Sequence, residues 1–239
     1  MEAILHKANT RGHTALNWLE SWHTFSFGNY HDPTRMHFGA LRILNDDTVA
    51  PRAGFGQHAH RNMEIITIPL QGELAHKDNL GHQQIIRQGD VQVMSAGKGI
   101  IHAEKNATDN VFVKFLQIWV VPAQKNVTPR YEQQTFSEAD MQNNFVTVVA
   151  PMGSEAGVTI YQDAWFSMGN LEAGVTVDYK WHKSENGLYL FVLEGDVMAD
   201  EFALNRRDGL GLLTRNKVSV KAESNASVLI MEVPMIGES

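Results

Sequence analysis

Two short segments place metal-ligating side chains at a two-residue spacing. Gly54-Phe-Gly-Gln-His58-Ala-His60-Arg-Asn-Met-Glu64 carries an H-x-H pair, and Gly97-Lys-Gly-Ile-Ile-His102-Ala-Glu104-Lys-Asn106 carries an H-x-E pair. On a β-strand, residues i and i+2 share a face, so each pair aims both side chains the same way. Two such pairs on facing strands supply three neutral nitrogens and one carboxylate. That set suits one divalent transition metal and leaves a position open for water or substrate. Glu64 shares the parity of His58 and His60, so spacing leaves Glu64 and Glu104 as rival carboxylate ligands. A lone H-x-H is more often a surface or core pair, and the second pair, with Gly-rich strand patterning between, is what favours the metal. His6, His13, His31, His37, His76, His82 and His182 have no such pairing and read as surface or structural. His23, in the aromatic run Trp22-His23-Thr24-Phe25-Ser26-Phe27, is left open.

The composition narrows the chemistry further. Among 239 residues there are 11 His and no Cys, so thiol nucleophiles, disulfides and thiolate metal sites are excluded. Lys plus Arg is 20 against 27 for Asp plus Glu, a net charge of −7, which argues against direct nucleic-acid binding. Ser95-Ala-Gly97-Lys98-Gly99 resembles a phosphate loop, but Gly99 stands where Ser or Thr must follow the Lys. No apolar run reaches the roughly 18 residues of a membrane helix, and the start of the sequence lacks a signal-peptide core. The expectation is a soluble, cytoplasmic protein with no membrane partner.

The elements that must position these residues read as strands. Apolar or alternating runs recur between Gly, Asn and Asp turns: 40–44, 64–70, 83–87, 91–94, 111–121, 144–150, 175–179, 188–193, 209–213, 217–220 and 228–233. Short helices are expected only at 15–21 and 135–143. A repeat supports duplication. Leu70-Gln71-Gly72-Glu73-Leu74 is answered by Leu193-Glu194-Gly195-Asp196-Val197, and Gly89-Asp90-Val91 by Asp208-Gly209-Leu210. The expected fold is all-β, two β-barrels with a seam near 122–144, divided as 1–135 and 136–239. Shifting by the repeat offset maps His58, His60 and Glu64 onto Trp181, Lys183 and Gly187, and His102 near Asn225. The second barrel is therefore expected to hold no metal.

At these residues the chain resembles the pirin family of bicupins, above all the bacterial pirin-like quercetinases. The matching stretches are Ser21–Phe27, Leu41–Asp47, Gly54–Glu64, His76–Asp78, Gly89–Asn106, Gln117–Trp119 and Thr128–Gln133. The resemblance implies two cupin barrels with metal in the N-terminal one only, bound by His58, His60, His102 and Glu104. It also implies quercetin 2,3-dioxygenase activity: O₂-dependent opening of a flavonol ring with release of carbon monoxide. Iron(II) is the favoured cofactor, with Cu, Ni, Mn, Co or Zn as alternatives. Glu104, or an uncoordinated Glu64, would accept the substrate's hydroxyl proton, and Phe55, Phe25, Phe27 and Met63 would line an apolar pocket. The family also implies a different role, a metal-dependent regulator that binds a transcription factor or metabolic enzyme. The chain departs from the general cupin pattern at Ser95, where Pro is usual, and at Arg52, where Gly is usual.

Overall fold

Burial along the strands separates two kinds of sheet. In the computed structural model, which describes residues 3–236, six consecutive residues from Glu64 are buried, as are eight from Asn186. A strand buried on both faces must be covered on both. By contrast Ile100–Asn106 alternates between buried and more exposed positions, so only one of its faces is covered.

The first half holds β1 (Ala3–His6), β2 (Gly12–Ala15), β3 (Leu19–His23), β4 (Leu41–Val49), β5 (Gly54–His60), β6 (Glu64–Gln71), β7 (Glu73–Asp78), β8 (Gln83–Arg87), β9 (Asp90–Ser95), β10 (Ile100–Asn106), β11 (Val113–Val120) and β12 (Arg130–Thr135). After α1 (Glu138–Met141) come β13 (Val146–Pro151), β14 (Val158–Ile160), β15 (Trp165–Leu171), β16 (Thr176–Lys180), β17 (Asn186–Glu194), β18 (Val197–Ala199), β19 (Phe202–Leu204), β20 (Gly209–Leu212), β21 (Lys217–Ala222) and β22 (Ala226–Pro234).

The sheets are related by the repeat. A seven-stranded sheet β12-β9-β6-β11-β4-β3-β2 and a four-stranded sheet β5-β10-β7-β8 form one barrel. The sheets β1-β20-β17-β22-β15-β13-β14 and β16-β21-β18-β19 form the other. Between the halves lies the largest core, with Phe25, Phe38, Ile66 and Val91 packed with Val149, Phe166, Tyr189 and Met231. This core covers the second face of the seven-stranded sheets and explains their continuous burial. Each half keeps its own interior, around Leu74 and Phe115 in the first and Leu190 and Ile230 in the second.

The edges are exchanged. β12 closes the first seven-stranded sheet on β9, and β1, from the start of the chain, takes the matching place on β20. Both halves turn on a left-handed glycine at the predicted position, Gly72 and Gly195, each at φ 76°. A Cβ at Gly195 would lie 2.2 Å from the Asn225 carbonyl oxygen. The second repeated turn is offset from the sequence pairing. Asp90 accepts from the Arg87 N–H at 2.9 Å, and Asp208 accepts from the Asn205 N–H at 3.0 Å. The residues before these aspartates, Gly89 and Arg207, both have positive φ, 90° and 68°. Gly89-Asp90 therefore corresponds to Arg207-Asp208.

Two expected helices are corrected. Residues 15–21 belong to the β2–β3 hairpin, in which Leu19, Ser21 and His23 point inward and Glu20 outward, the period of a strand. Of 135–143 only Glu138–Met141 is helical, started by Ser137, whose side chain accepts from the Ala139 N–H. Arg52, in place of the usual glycine, adopts φ 62°.

Candidate metal centre

β5 and β10 pair antiparallel with His102 opposite His58 and Ile100 opposite His60. That register stacks the H-x-H pair against the H-x-E pair. The ring centroids are 4.8 Å apart for His58–His60, 4.4 Å for His58–His102 and 5.0 Å for His60–His102. One ligating atom from each of the three lies within 4.8 Å of the others.

The protonation chemistry suits a cation. Burial, reinforced by His58, lowers the His60 pKa to about 4. Burial, then His58, His60 and His76, lowers that of His102 to about 2. Both rings are therefore neutral near pH 7, the form that binds metal. His58 Nδ1 lies 2.8 Å from the Gly56 carbonyl, so it donates there and leaves Nε2 for a ligand. His102 Nε2 is buried with no hydrogen-bond partner. A buried ring nitrogen without a partner is costly unless something binds it, so these residues fit a divalent ion.

Glu104 lies two residues along β10, past a bulge between His102 and Glu104. Gln117 Nε2 donates to its Oε2 at 2.9 Å, and Thr67 Oγ1 is 3.5 Å from its Oε1. Burial raises the Glu104 pKa, so without a cation the carboxylate is disfavoured. Glu104 groups with His102 and with His76. His76 is a residue that sequence reasoning missed. It is buried, its Nδ1 is 3.5 Å from His102 Nδ1, and its Nε2 is 3.1 Å from Asp78 Oδ2. The H-x-D spacing of His76 and Asp78, on the strand next to β10, was the available signal.

Glu64 goes elsewhere. Its Oε2 accepts from Ser95 Oγ at 2.6 Å, and the Tyr161 backbone also donates to its carboxylate. Ser95, the departure from the usual proline, thus supplies a partner for this buried acid. Glu64 does not line the cavity that opens on His58, His60 and Glu104.

That cavity holds about 210 Å³ and is walled by Phe27, Phe55 and Trp119. His23, undecided in sequence, also lines it. Phe25 does not: it sits in the core between the halves, 5.5 Å from the Tyr189 ring. Met63 packs instead against the Ile65, Met94 and Ile100 cluster. In the second barrel His182 is occupied structurally. Its Nδ1 is 3.1 Å from Glu232 and its ring stacks on Trp165 at 4.6 Å.

The three imidazoles His58, His60 and His102 form one group and His76, His102 and Glu104 another, so His102 joins them and no single group holds all four expected ligands; two cupin-type barrels, one carrying these side chains, define a bicupin with a candidate metal centre. The pirin family profile matches residues 5–120, and that of the quercetinase C-terminal cupin domain matches residues 147–233. The chain is 35% identical over 236 residues to the quercetin 2,3-dioxygenase of Escherichia coli K12, covering 97% of this chain and 99% of that protein. It is 38% identical to a pirin-like protein of Caulobacter vibrioides, over 90% of this chain and 92% of that one. The crystal structure of the bacterial pirin YhhW of E. coli, in complex with nickel(II), superposes with a TM-score of 0.92 at 35% identity, covering 98% of this chain and all of that one. The chain belongs to the pirin family.

Proposed function

We propose that this protein is a cytoplasmic, metal-dependent dioxygenase that opens the central ring of a flavonol such as quercetin, consuming O₂ and releasing carbon monoxide. The observation that carries the reading is the unpartnered Nε2 of His102, buried beside His58 and His60, which line a cavity with aromatic walls. The quercetin 2,3-dioxygenase name of the E. coli relative supports it.

On this reading His58, His60, His102 and Glu104 hold one divalent ion, iron(II) first among the candidates. A bound ion would supply Lewis acidity and a site for an anionic substrate oxygen. Gln117 and Thr67 hold the Glu104 carboxylate in place. Glu104 is also the acceptor for the substrate's hydroxyl proton, because Glu64 does not reach the cavity. Phe27, Phe55 and Trp119 offer flat apolar surface to the ligand rings and exclude water. The metal belongs to the unit 1–135 and the unit 136–239 serves as structural partner, with β1 lent to its sheet. The test is reversible chelation. Quercetin turnover should vanish with chelator, return with a divalent ion, be abolished by His60→Ala and survive His182→Ala. Turnover that persists in metal-free protein would contradict the proposal.

A further inference from the structure

The cavity has two unlike walls. The four-stranded sheet contributes His58, His60 and Glu104, and the seven-stranded sheet contributes Ser21 and His23 from β3 and Asn45 and Asp47 from β4. Ser21 pairs with Asp47 and His23 with Asn45, so the strand period turns all four side chains to one side. They fix one another. Ser21 Oγ donates to Asp47 Oδ1, and His23 Nδ1 donates to Asn45 Oδ1 at 2.9 Å. His23 Nε2 is 3.0 Å from Thr14 Oγ1.

Two polar atoms are left over. Asp47 Oδ2 and Asn45 Nδ2 have no protein partner among the described residues, and both residues line the cavity. Asp47 joins neither group of ligating side chains. Facing the cavity, these two atoms are open to bond a ligand group, and a ligand that displaces their water without replacing its hydrogen bonds loses affinity. Burial raises the Asp47 pKa to about 7, against the lowering effect of the Ser21 hydrogen bond, with Asp46 and Glu104 adding to the rise.

We propose that Asp47 and Asn45 recognise a hydroxyl of the substrate other than its metal-binding oxygens. The site then selects polyhydroxylated flavonols over the bare flavonol core. This inference rests on the flavonol reading above. A site with polar groups waiting for a hydroxyl rejects an analogue that lacks it, because those groups stay unpaired.

The experiment is calorimetric titration of the metal-loaded protein, without O₂, with quercetin and with 3-hydroxyflavone. The second ligand keeps the chelating oxygens and lacks the other hydroxyls. The wild type should bind quercetin about tenfold tighter or more. Asp47→Ala should weaken quercetin binding about tenfold and leave 3-hydroxyflavone within about twofold, so that the preference collapses. Asn45→Ala, which leaves the Ser21–Asp47 pair in place, should act in the same direction and serves if Asp47→Ala fails to fold. Equal affinity of the wild type for both ligands would overturn the inference and leave the flavonol reading standing. So would a parallel loss of both ligands in the variants. A wild type that binds neither ligand would overturn both.

Discussion

His102 and Glu104 show how much two residues on one strand depend on their neighbours. The i, i+2 spacing was legible in the sequence, but spacing alone could not choose between Glu104 and Glu64, which has the parity of the histidines. The structure separates the two by what they touch: Gln117 and Thr67 for Glu104, Ser95 for Glu64. This separation makes a prediction. Glu104→Gln should lower metal affinity by at least tenfold, read as metal content after dialysis, while Glu64→Gln should leave the stoichiometry unchanged. Metal loss with Glu64→Gln alone would reverse the assignment. His76 was passed over although its H-x-D spacing with Asp78 offered a signal, because its neighbour His102 is 26 residues away in sequence and only the β7–β10 pairing brings the two together. Orienting groups of this kind typically account for 10–100-fold in metal affinity, so His76→Ala should weaken the site by about that much. Copper-loaded His76→Ala should also show a shifted electron paramagnetic resonance spectrum. An unchanged affinity would remove His76 from the centre.

At the scale of elements, strands with continuous or alternating apolar runs were legible, β6, β17 and β22 among them. Those that escaped include short or polar strands such as β1, β12 and β19, and also β15, seven residues whose apolar side chains are interrupted by Ser167, Gly169 and Asn170. Their pairing is set by edges far apart in sequence, which periodicity cannot report. The edge exchange of β1 gives a pH prediction. His6 is buried on β1, its Nδ1 2.8 Å from Tyr189 Oη. Burial, then Arg35, lowers its pKa from 6.5 to about 4. The unfolded chain therefore holds a proton on this ring that the folded chain does not, between pH 6.5 and 4. Stability from His6 is complete above pH 6.5 and is lost as pH falls through that window. The stability of the wild type relative to His6→Gln should fall by about 2 kcal/mol over this range in urea unfolding. A constant difference would contradict it. Arg207 supports the other repeated turn. Its guanidinium pairs with Asp46 at 2.7 Å across the halves and donates to the Leu193 carbonyl, which holds a non-glycine residue at φ 68°. Arg207→Ala loses the pair and keeps the strain, at a cost of about 3 kcal/mol. Arg207→Gly should cost about 1 kcal/mol less.

For the whole molecule, the duplication was legible because its turns demand glycine at fixed places, as at Gly72 and Gly195. The one-residue error in the second turn arose because Arg207 occupies a position where sequence reading looks for glycine. The large core between the halves was not legible as such. Phe25 read as a pocket wall because an aromatic run does not say which face of the chain meets the partner barrel. The second half packs against the back of the sheet that carries Asn45, Asp47 and Gln117, and so keeps the polar wall aligned with the histidines. No helix among the described residues is long and apolar enough to cross a membrane. The direct measurement of flavonol ring opening is quercetin loss by absorbance with carbon monoxide detected in the same vessel, using protein loaded in turn with Fe, Cu, Ni, Co and Mn. Carbon monoxide should form in step with quercetin consumed for at least one metal, and none should form with His60→Ala. No carbon monoxide with any of the five would contradict the proposed ring opening.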